Sequence, residues 1–243
     1  MEWTLPAAND RWALFLDFDG TLVEIASAPD AVRVDPELPG LLEQLCSRFG
    51  GSLAMVSGRP ISDLDSFLAP HRFAAAGSHG AERRDARGEL HRMGLVPEEL
   101  QPARAELAGL TARHPALLLE DKGTSLALHF RQAPQLEGLA RDAMQRVLTR
   151  LPPEAHLQDG HCVIELKGRS VNKRVAIERF MAEPPFAGRV PVFVGDDVAD
   201  YEGLVFVQSI GGQALFVGPE PQPGLGWLPH PAAVRAWLRG LTR

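Results

Sequence analysis

Asp17 and Asp19 lie two residues apart after the apolar run 13–16 and are followed at once by Gly20 and Thr21. Side chains alternate along an extended strand, so this spacing points both carboxylates to one side, and Gly20 permits a sharp turn just beyond them. Like charges that close need a cation between them. A hard divalent ion such as Mg²⁺ meets the need with oxygen ligands. More carboxylates follow another apolar run, in the stretch Gly195-Asp196-Asp197-Val198-Ala199-Asp200. An Asp-Gly pair alone favours turns in any protein, but the full Asp-x-Asp-Gly-Thr pattern arises by chance on the order of 10⁻³ times in a chain of this size.

Ser57 closes a second apolar run and leads into Gly58 and Arg59, and Lys173 lies within the helical stretch 171–182. With Asp17, Asp19, Thr21, Asp196 and Asp200 these residues make a phosphoryl-transfer set. One carboxylate can attack phosphorus and a second can protonate the leaving oxygen; a divalent ion and the lysine offset charge, and hydroxyls bind the phosphoryl oxygens. Taken singly, Ser57 reads as a turn or helix cap and Lys173 as a solvated helix residue. Their place in one series gives both weight. Arg131, at a strand end, reads equally as a partner for a nearby carboxylate or as a substrate contact.

Strands that end side by side are needed to bring these groups together. Leu38, Leu41, Leu42, Leu45 and Phe49 recur at helical spacing after Asp35-Pro36-Glu37, until Gly50-Gly51 stops the helix. Residues 52–56 read as a strand, 60–68 as a helix and 73–76 as a third strand, ending in Gly77-Ser78-His79-Gly80. Strands alternating with helices imply a parallel sheet, and ligands bind outside the carboxyl ends of such strands. Asp17, Asp19, Ser57 and His79 fall at those ends. The rhythm then changes to a helix over 97–114, strands over 117–121 and 124–131, an amphipathic helix over 134–151, and two strands flanking a hairpin turn at Asp159-Gly160. Alternation returns with a helix over 171–182, strands at 192–194 and near 215–217, and a helix over 232–241. The Pro- and Gly-rich stretch 218–231 reads as a surface loop. The expected architecture is α/β: a discontinuous, Rossmann-like three-layer core with a parallel sheet, residues 1–83 and 169–243, plus an inserted α+β cap, residues 84–168.

The 243 residues, 45% of them hydrophobic, suffice for a sizeable core in one large domain or two small ones. A formal charge of −6 argues against nucleic acid or an anionic membrane as the main partner, so an anionic substrate must be met by local cations. Cys46 and Cys162 lack metal-ligand spacing and fit a reducing compartment. The sequence shows neither a basic leader before an apolar stretch nor a bilayer-length apolar run, so the expectation is a cytoplasmic protein.

Asp17-Phe18-Asp19-Gly20-Thr21, Ser57-Gly58-Arg59, Lys173 and 195–200 occur in the order of the motifs of the haloacid dehalogenase-like phosphatase superfamily, which the chain resembles, and the insert matches that superfamily's larger cap. The likeness narrows to the trehalose-6-phosphate phosphatase family through 76–84, 120–131 and 162–166, so that it covers nearly the whole chain. This resemblance implies Mg²⁺-dependent hydrolysis of trehalose 6-phosphate, a cap that closes over the site, and functional coupling to a trehalose-6-phosphate synthase. It also implies roles. Asp17 would be the nucleophile and Asp19 the acid and then the base. Mg²⁺ would be held by Asp17, the backbone carbonyl of Asp19, and Asp196, on a loop supported by Asp197 and Asp200. Thr21, Ser57 and Lys173 would bind the phosphate, and Arg59, His79, Glu120, Lys122, Arg131 and Glu165 the rest of the substrate.

The chain departs from the family pattern at Ala199 and Tyr201, where threonine and glutamate are usual, and at Arg174, where glycine is usual. Phosphatases for sucrose or mannosyl phosphates and a phosphomannomutase-like isomerase share the aspartates, and a sugar-phosphate-sensing pseudoenzyme would tolerate the departures. A simple receiver domain that only carries a phosphoaspartate needs neither the insert nor Asp19.

Overall fold

A computed structural model of the chain describes residues 9–26, 31–92, 95–160, 162–168 and 171–242. It divides into two compact units, Met1–His91 with Asn172–Arg243 and Arg92–Val171. In chain order the elements of the first are β1 (Trp12–Leu16), α1 (Leu38–Arg48), β2 (Leu53–Val56), α2 (Ile61–Phe67), β3 (Ala74–Gly77), β4 (Glu82–Arg84) and β5 (Leu90–Arg92). The insert carries α3 (Pro97–Arg113), β6 (Leu118–Asp121), β7 (Leu126–His129), α4 (Glu137–Leu148), β8 (Ala155–Gly160) and β9 (Val163–Gly168). The first unit then resumes with α5 (Lys173–Met181), β10 (Val190–Gly195), α6 (Val198–Ser209), β11 (Gln213–Val217), β12 (Gly226–Leu228) and α7 (Pro231–Gly240).

The larger sheet has the order β12-β11-β10-β1-β2-β3-β4-β5. Neighbours from β12 to β3 are parallel, and β4 turns back antiparallel on β3. Both faces are covered, which is why β1 reads as an unbroken apolar run and is buried at every position. Alternation sends Trp12, Leu14 and Leu16 into one core with Leu42 and Leu45 of α1 and Trp237 and Leu238 of α7. Ala13 and Phe15 enter the opposite core with Ile177 and Phe180 of α5 and Leu204 and Val207 of α6. Three layers result, and the strand order reverses direction between β1 and β10.

The insert forms a four-stranded antiparallel sheet, β6-β7-β9-β8. Leu126, Leu128, Ile164 and Leu166 pack with Leu107 of α3 and Met144 and Val147 of α4. The other face of the sheet is polar. Cross-strand register aligns Glu120, Ala127, Glu165 and Gln158 in one row there.

Several sequence expectations are corrected. Asp159 and Gly160 continue β8 and pair with Ile164 and Val163, so the hairpin turns beyond them, where Cys162 takes a positive φ of 57°. The stretch 218–231 contains β12, bound to β11 as a parallel edge strand. Residues 84–91 belong with the larger unit, because β4 and β5 extend its sheet. Helix α6 was unanticipated: apolar residues surround it, and the signal that it carries is the capping box between Asp197 and Asp200. Among the described residues no helix is long and apolar enough to cross a membrane.

The ring of Phe15 is wedged between Phe180 and Phe186 at centroid distances of 5.9 and 5.5 Å with no solvent exposure. Truncation there leaves a cavity under the site, so Phe15→Ala should cost about 3–5 kcal/mol of unfolding free energy, measured by chemical denaturation.

Candidate active site

Alternation along β1 continues into Asp17, which falls on the side of α5. The first residue of α5 is Lys173, a helix start fixed by the Asn172 side chain accepting from the Val175 N–H at 2.8 Å. Lys173 Nζ donates to Asp17 Oδ1 at 2.8 Å and to Asp200 Oδ1 at 2.6 Å. All three residues are buried, with 4% or less of each exposed. The second oxygen of Asp200 accepts the backbone N–H groups of Asp196 and Asp197 at 3.2 and 3.0 Å. Asp200 therefore braces the loop that carries Asp196. Asp197 accepts from the Val198 N–H at 2.6 Å and caps α6. Thr21 Oγ1 donates to Asp196 Oδ1 at 3.0 Å and reaches Asp17 Oδ2 at 3.4 Å, closing the ring.

Charge balance in this ring is negative. Burial pushes Asp17 up to about 6, against the lowering pull of Lys173. Asp200 is pushed up to about 6 by burial and then by the charge of Asp17, and Asp196 is also raised, chiefly by burial. Burial would lower Lys173, but Asp17 and Asp200 more than offset it and keep it charged. Carboxylate oxygens of Asp17, Asp196 and Asp200 lie within 4.8 Å of one another. An all-oxygen set with surplus negative charge fits a hard divalent cation, with Asp17 and Asp196 as the donors not committed to bracing. Gly20 has φ +73° and approaches Asp196 so closely that a Cβ would overlap its carboxylate.

Asp19 lies beyond the end of β1 at Leu16, and its carboxylate pairs with Arg59. Ser57 is buried at the end of β2 and accepts the Arg59 N–H at 3.1 Å, as a turn residue does. His79 has φ 56°, and its ring packs over Gly58 so closely that a Cβ there would lie 2.7 Å from Cε1. In the smaller unit Lys122 Nζ lies 3.3 Å from Glu165 Oε1, which also accepts from Ser125 Oγ at 2.9 Å. Burial alone would raise Glu165, but Lys122 and Ser125 hold it below the usual range. Glu120 lies 2.9 Å from His129 Nε2 and Arg131 is exposed beyond β7. Ser125, His129 and Phe67, which supports Arg59, were not singled out from sequence; a hydroxyl inside the 120–131 stretch was the available signal for Ser125.

Of the departures from the family pattern, Arg174 stacks over Phe206 at 5.1 Å and lies 3.4 Å from Glu178. Tyr201 is half exposed on the first turns of α6.

A reversal of strand order with carboxylates beyond both central strands places a ligand crevice at the switch point of a doubly wound α/β fold, the fold of solved haloacid dehalogenase-like hydrolases. A solved haloacid dehalogenase-like hydrolase from Bacteroides thetaiotaomicron superimposes with a TM-score of 0.66 over 93% of this chain and 97% of that one, at 14% identity. The chain belongs to the trehalose-phosphatase family, whose profile matches residues 15–211, and is thus a phosphoric monoester hydrolase. It is 40% identical over 237 residues to the trehalose-6-phosphate phosphatase of Escherichia coli, covering 98% of this chain and 89% of that protein. A solved Aspergillus fumigatus trehalose-6-phosphate phosphatase has the same fold, with a TM-score of 0.71 over 98% and 99% of the two chains and 22% identity.

Removing Lys173 leaves buried carboxylates without their cation. In metal-free protein at pH 8, Lys173→Met should therefore lose about 3–5 kcal/mol of stability. Asp17 and Asp200 have folded values raised to about 6, so their contribution is fully present below pH 3.8, the value of a free aspartate, and is lost as pH rises through about 6. The loss on substitution should accordingly be smaller at pH 5 than at pH 8, as read by denaturation with a chelator present.

Proposed function

We propose that this protein hydrolyses trehalose 6-phosphate to trehalose and inorganic phosphate through an aspartyl-phosphate at Asp17. The observation that carries the reading is the buried Lys173 shared by Asp17 and Asp200 beside Thr21 and Asp196. Lys173 keeps Asp17 ionised despite its burial and leaves it the geometry of a nucleophile. Asp17 attacks phosphorus; the bond from phosphorus to the sugar oxygen breaks, and Asp19 gives that oxygen its proton. Asp19 then takes a proton from water, whose oxygen attacks phosphorus and releases Asp17. Thr21, Ser57 and Lys173 bind the phosphoryl oxygens. Mg²⁺, held by Asp17, Asp196 and the Asp19 carbonyl, would offset phosphoryl charge when bound.

Sugar recognition is assigned to the polar sheet face of the insert, with Glu120, Lys122 and Glu165 binding hydroxyls and Arg131 and His79 contributing to substrate contact. The 40% identity with the Escherichia coli enzyme supports trehalose 6-phosphate over a sucrose or mannosyl phosphate. Supply of that substrate couples the enzyme functionally to a trehalose-6-phosphate synthase in the cytoplasm.

Phosphate release with Mg²⁺ should favour trehalose 6-phosphate over glucose 6-phosphate, sucrose 6-phosphate and a mannosyl phosphate, and Asp17→Asn should lower the rate more than about 10³-fold. Preferential turnover of another of these sugars would keep the reaction and discard the substrate. Because Asp17 must shed its proton to bind metal and titrates near 6, Mg²⁺ should bind about tenfold more weakly at pH 5 than at pH 8. Titration calorimetry at the two pH values reads this directly.

A further inference from the structure

Arg59 stands among the expected substrate contacts, yet two of its guanidinium nitrogens are turned to Asp19. Nε lies 2.5 Å from Asp19 Oδ2 and one terminal nitrogen 2.9 Å from Oδ1. We propose that Arg59 is a positioning residue, which fixes the Asp19 carboxylate for its work on the leaving sugar oxygen. This inference rests on the acid role given to Asp19 in the aspartyl-phosphate reading.

Asp19 needs such a hold. It follows the end of β1 and precedes the left-handed Gly20, and its local backbone support is an isolated bridge to Val23, with the Gly20 N–H donating to the Val23 carbonyl at 2.8 Å. A carboxylate on such a turn is free to rotate about its side-chain bonds, and misplacement by about 1 Å of a group in line for proton transfer costs on the order of 10²-fold in rate. A planar guanidinium that binds both oxygens removes that freedom, which a single ammonium does not.

Arg59 is itself fixed on every side. Its guanidinium stacks over Phe67 at 5.0 Å, and Phe67 stacks on Phe18 at 5.6 Å. The contacts therefore close a loop from Phe18 through Phe67 and Arg59 back to Asp19, the next residue. On the backbone side, the Arg59 N–H donates to Ser57 Oγ, and the Arg59 carbonyl accepts the Ser78 N–H at 2.8 Å. Two residues on, the Ile61 N–H donates to Glu82 Oε1 at 2.6 Å. Exposure runs the same way: 13% of the Arg59 side chain is accessible against 33% for Asp19. The arginine faces the protein and the carboxylate faces the solvent from which a substrate arrives.

Leaving-group dependence tests this role. A sugar oxygen needs a proton as it departs and p-nitrophenolate does not, and kcat/KM reports only the steps up to the first cleavage of the phosphorus–oxygen bond. In Arg59→Gln, kcat/KM for trehalose 6-phosphate should fall about 10²–10³-fold, through kcat, while the value for p-nitrophenyl phosphate should fall less than about fivefold. Arg59→Lys keeps the charge and the stem on Phe67, which guards against a loss due only to misfolding; it should show the same split, with a loss of about tenfold or more on the sugar phosphate. Added to Asp19→Asn, Arg59→Gln should cost less than about threefold further. Equal losses on both substrates, a raised KM for the sugar phosphate at unchanged kcat, or additive effects in the double variant would overturn the proposal. Wild-type turnover of p-nitrophenyl phosphate and of a different sugar phosphate would overturn the substrate assignment alone, and the split would then be measured on that sugar.

Discussion

One buried ammonium group is shared by two buried carboxylates beside a third that is partly exposed, and most of the larger unit serves to hold that arrangement. Taking an ion out of water costs several kcal/mol unless it is paired and hydrogen-bonded. Lys173 is therefore shared between Asp17 and Asp200, and Asp200 takes two backbone N–H groups besides. What remains is an excess of negative charge centred on Asp17 and Asp196. Burial raises Asp17 and Asp200 to about 6, and the surplus negative charge makes the ring a receptor for a hard cation.

The fold supplies the coordinates for this cluster by simple rules. The order of the parallel sheet reverses between β1 and β10, which opens a crevice beyond their carboxyl ends. Asp17 follows one of these strands and Asp196 the other. Pleat parity through Ala13 and Phe15 carries Asp17 to the side of α5, where Asn172 starts the helix and so sets the height of Lys173. Positive φ at Gly20 lets the backbone pass beside Asp196 where no side chain would fit. In the insert, a sheet packed on one face by α3 and α4 leaves the other face to aligned polar side chains.

Much of this was legible in the chain. The strand before Asp17, the acidic loop 195–200, the change of rhythm at the insert and the helix that carries Lys173 all follow from apolar runs and polar punctuation. Failures occurred where tertiary pairing decided the outcome. Asp159-Gly160 carries a turn signal, yet register with Val163 and Ile164 keeps it in a strand. Glu82–Arg84 and Gly226–Leu228 are three-residue edge strands, too short to show a period and formed because a neighbour offers hydrogen bonds. Helix α6 has an apolar surface nearly all round, so no stripe announces it. The pairing of Asp19 with Arg59 escapes the sequence for a related reason: Asp19 lies past the residue where the strand stops, and only the three-dimensional loop brings Arg59 to it.

The central claim is that Asp17 carries the phosphoryl group between the sugar and water. Rapid quench of the enzyme during turnover of trehalose 6-phosphate, followed by borohydride reduction and peptide mass spectrometry, tests it most directly, because an acyl phosphate is reduced to an alcohol and a free carboxylate is not. The account predicts homoserine at position 17, dependent on substrate and absent when Lys173 is replaced by methionine. Unmodified Asp17 in quenched enzyme that is releasing phosphate, with the modification at another residue or at none, would contradict it.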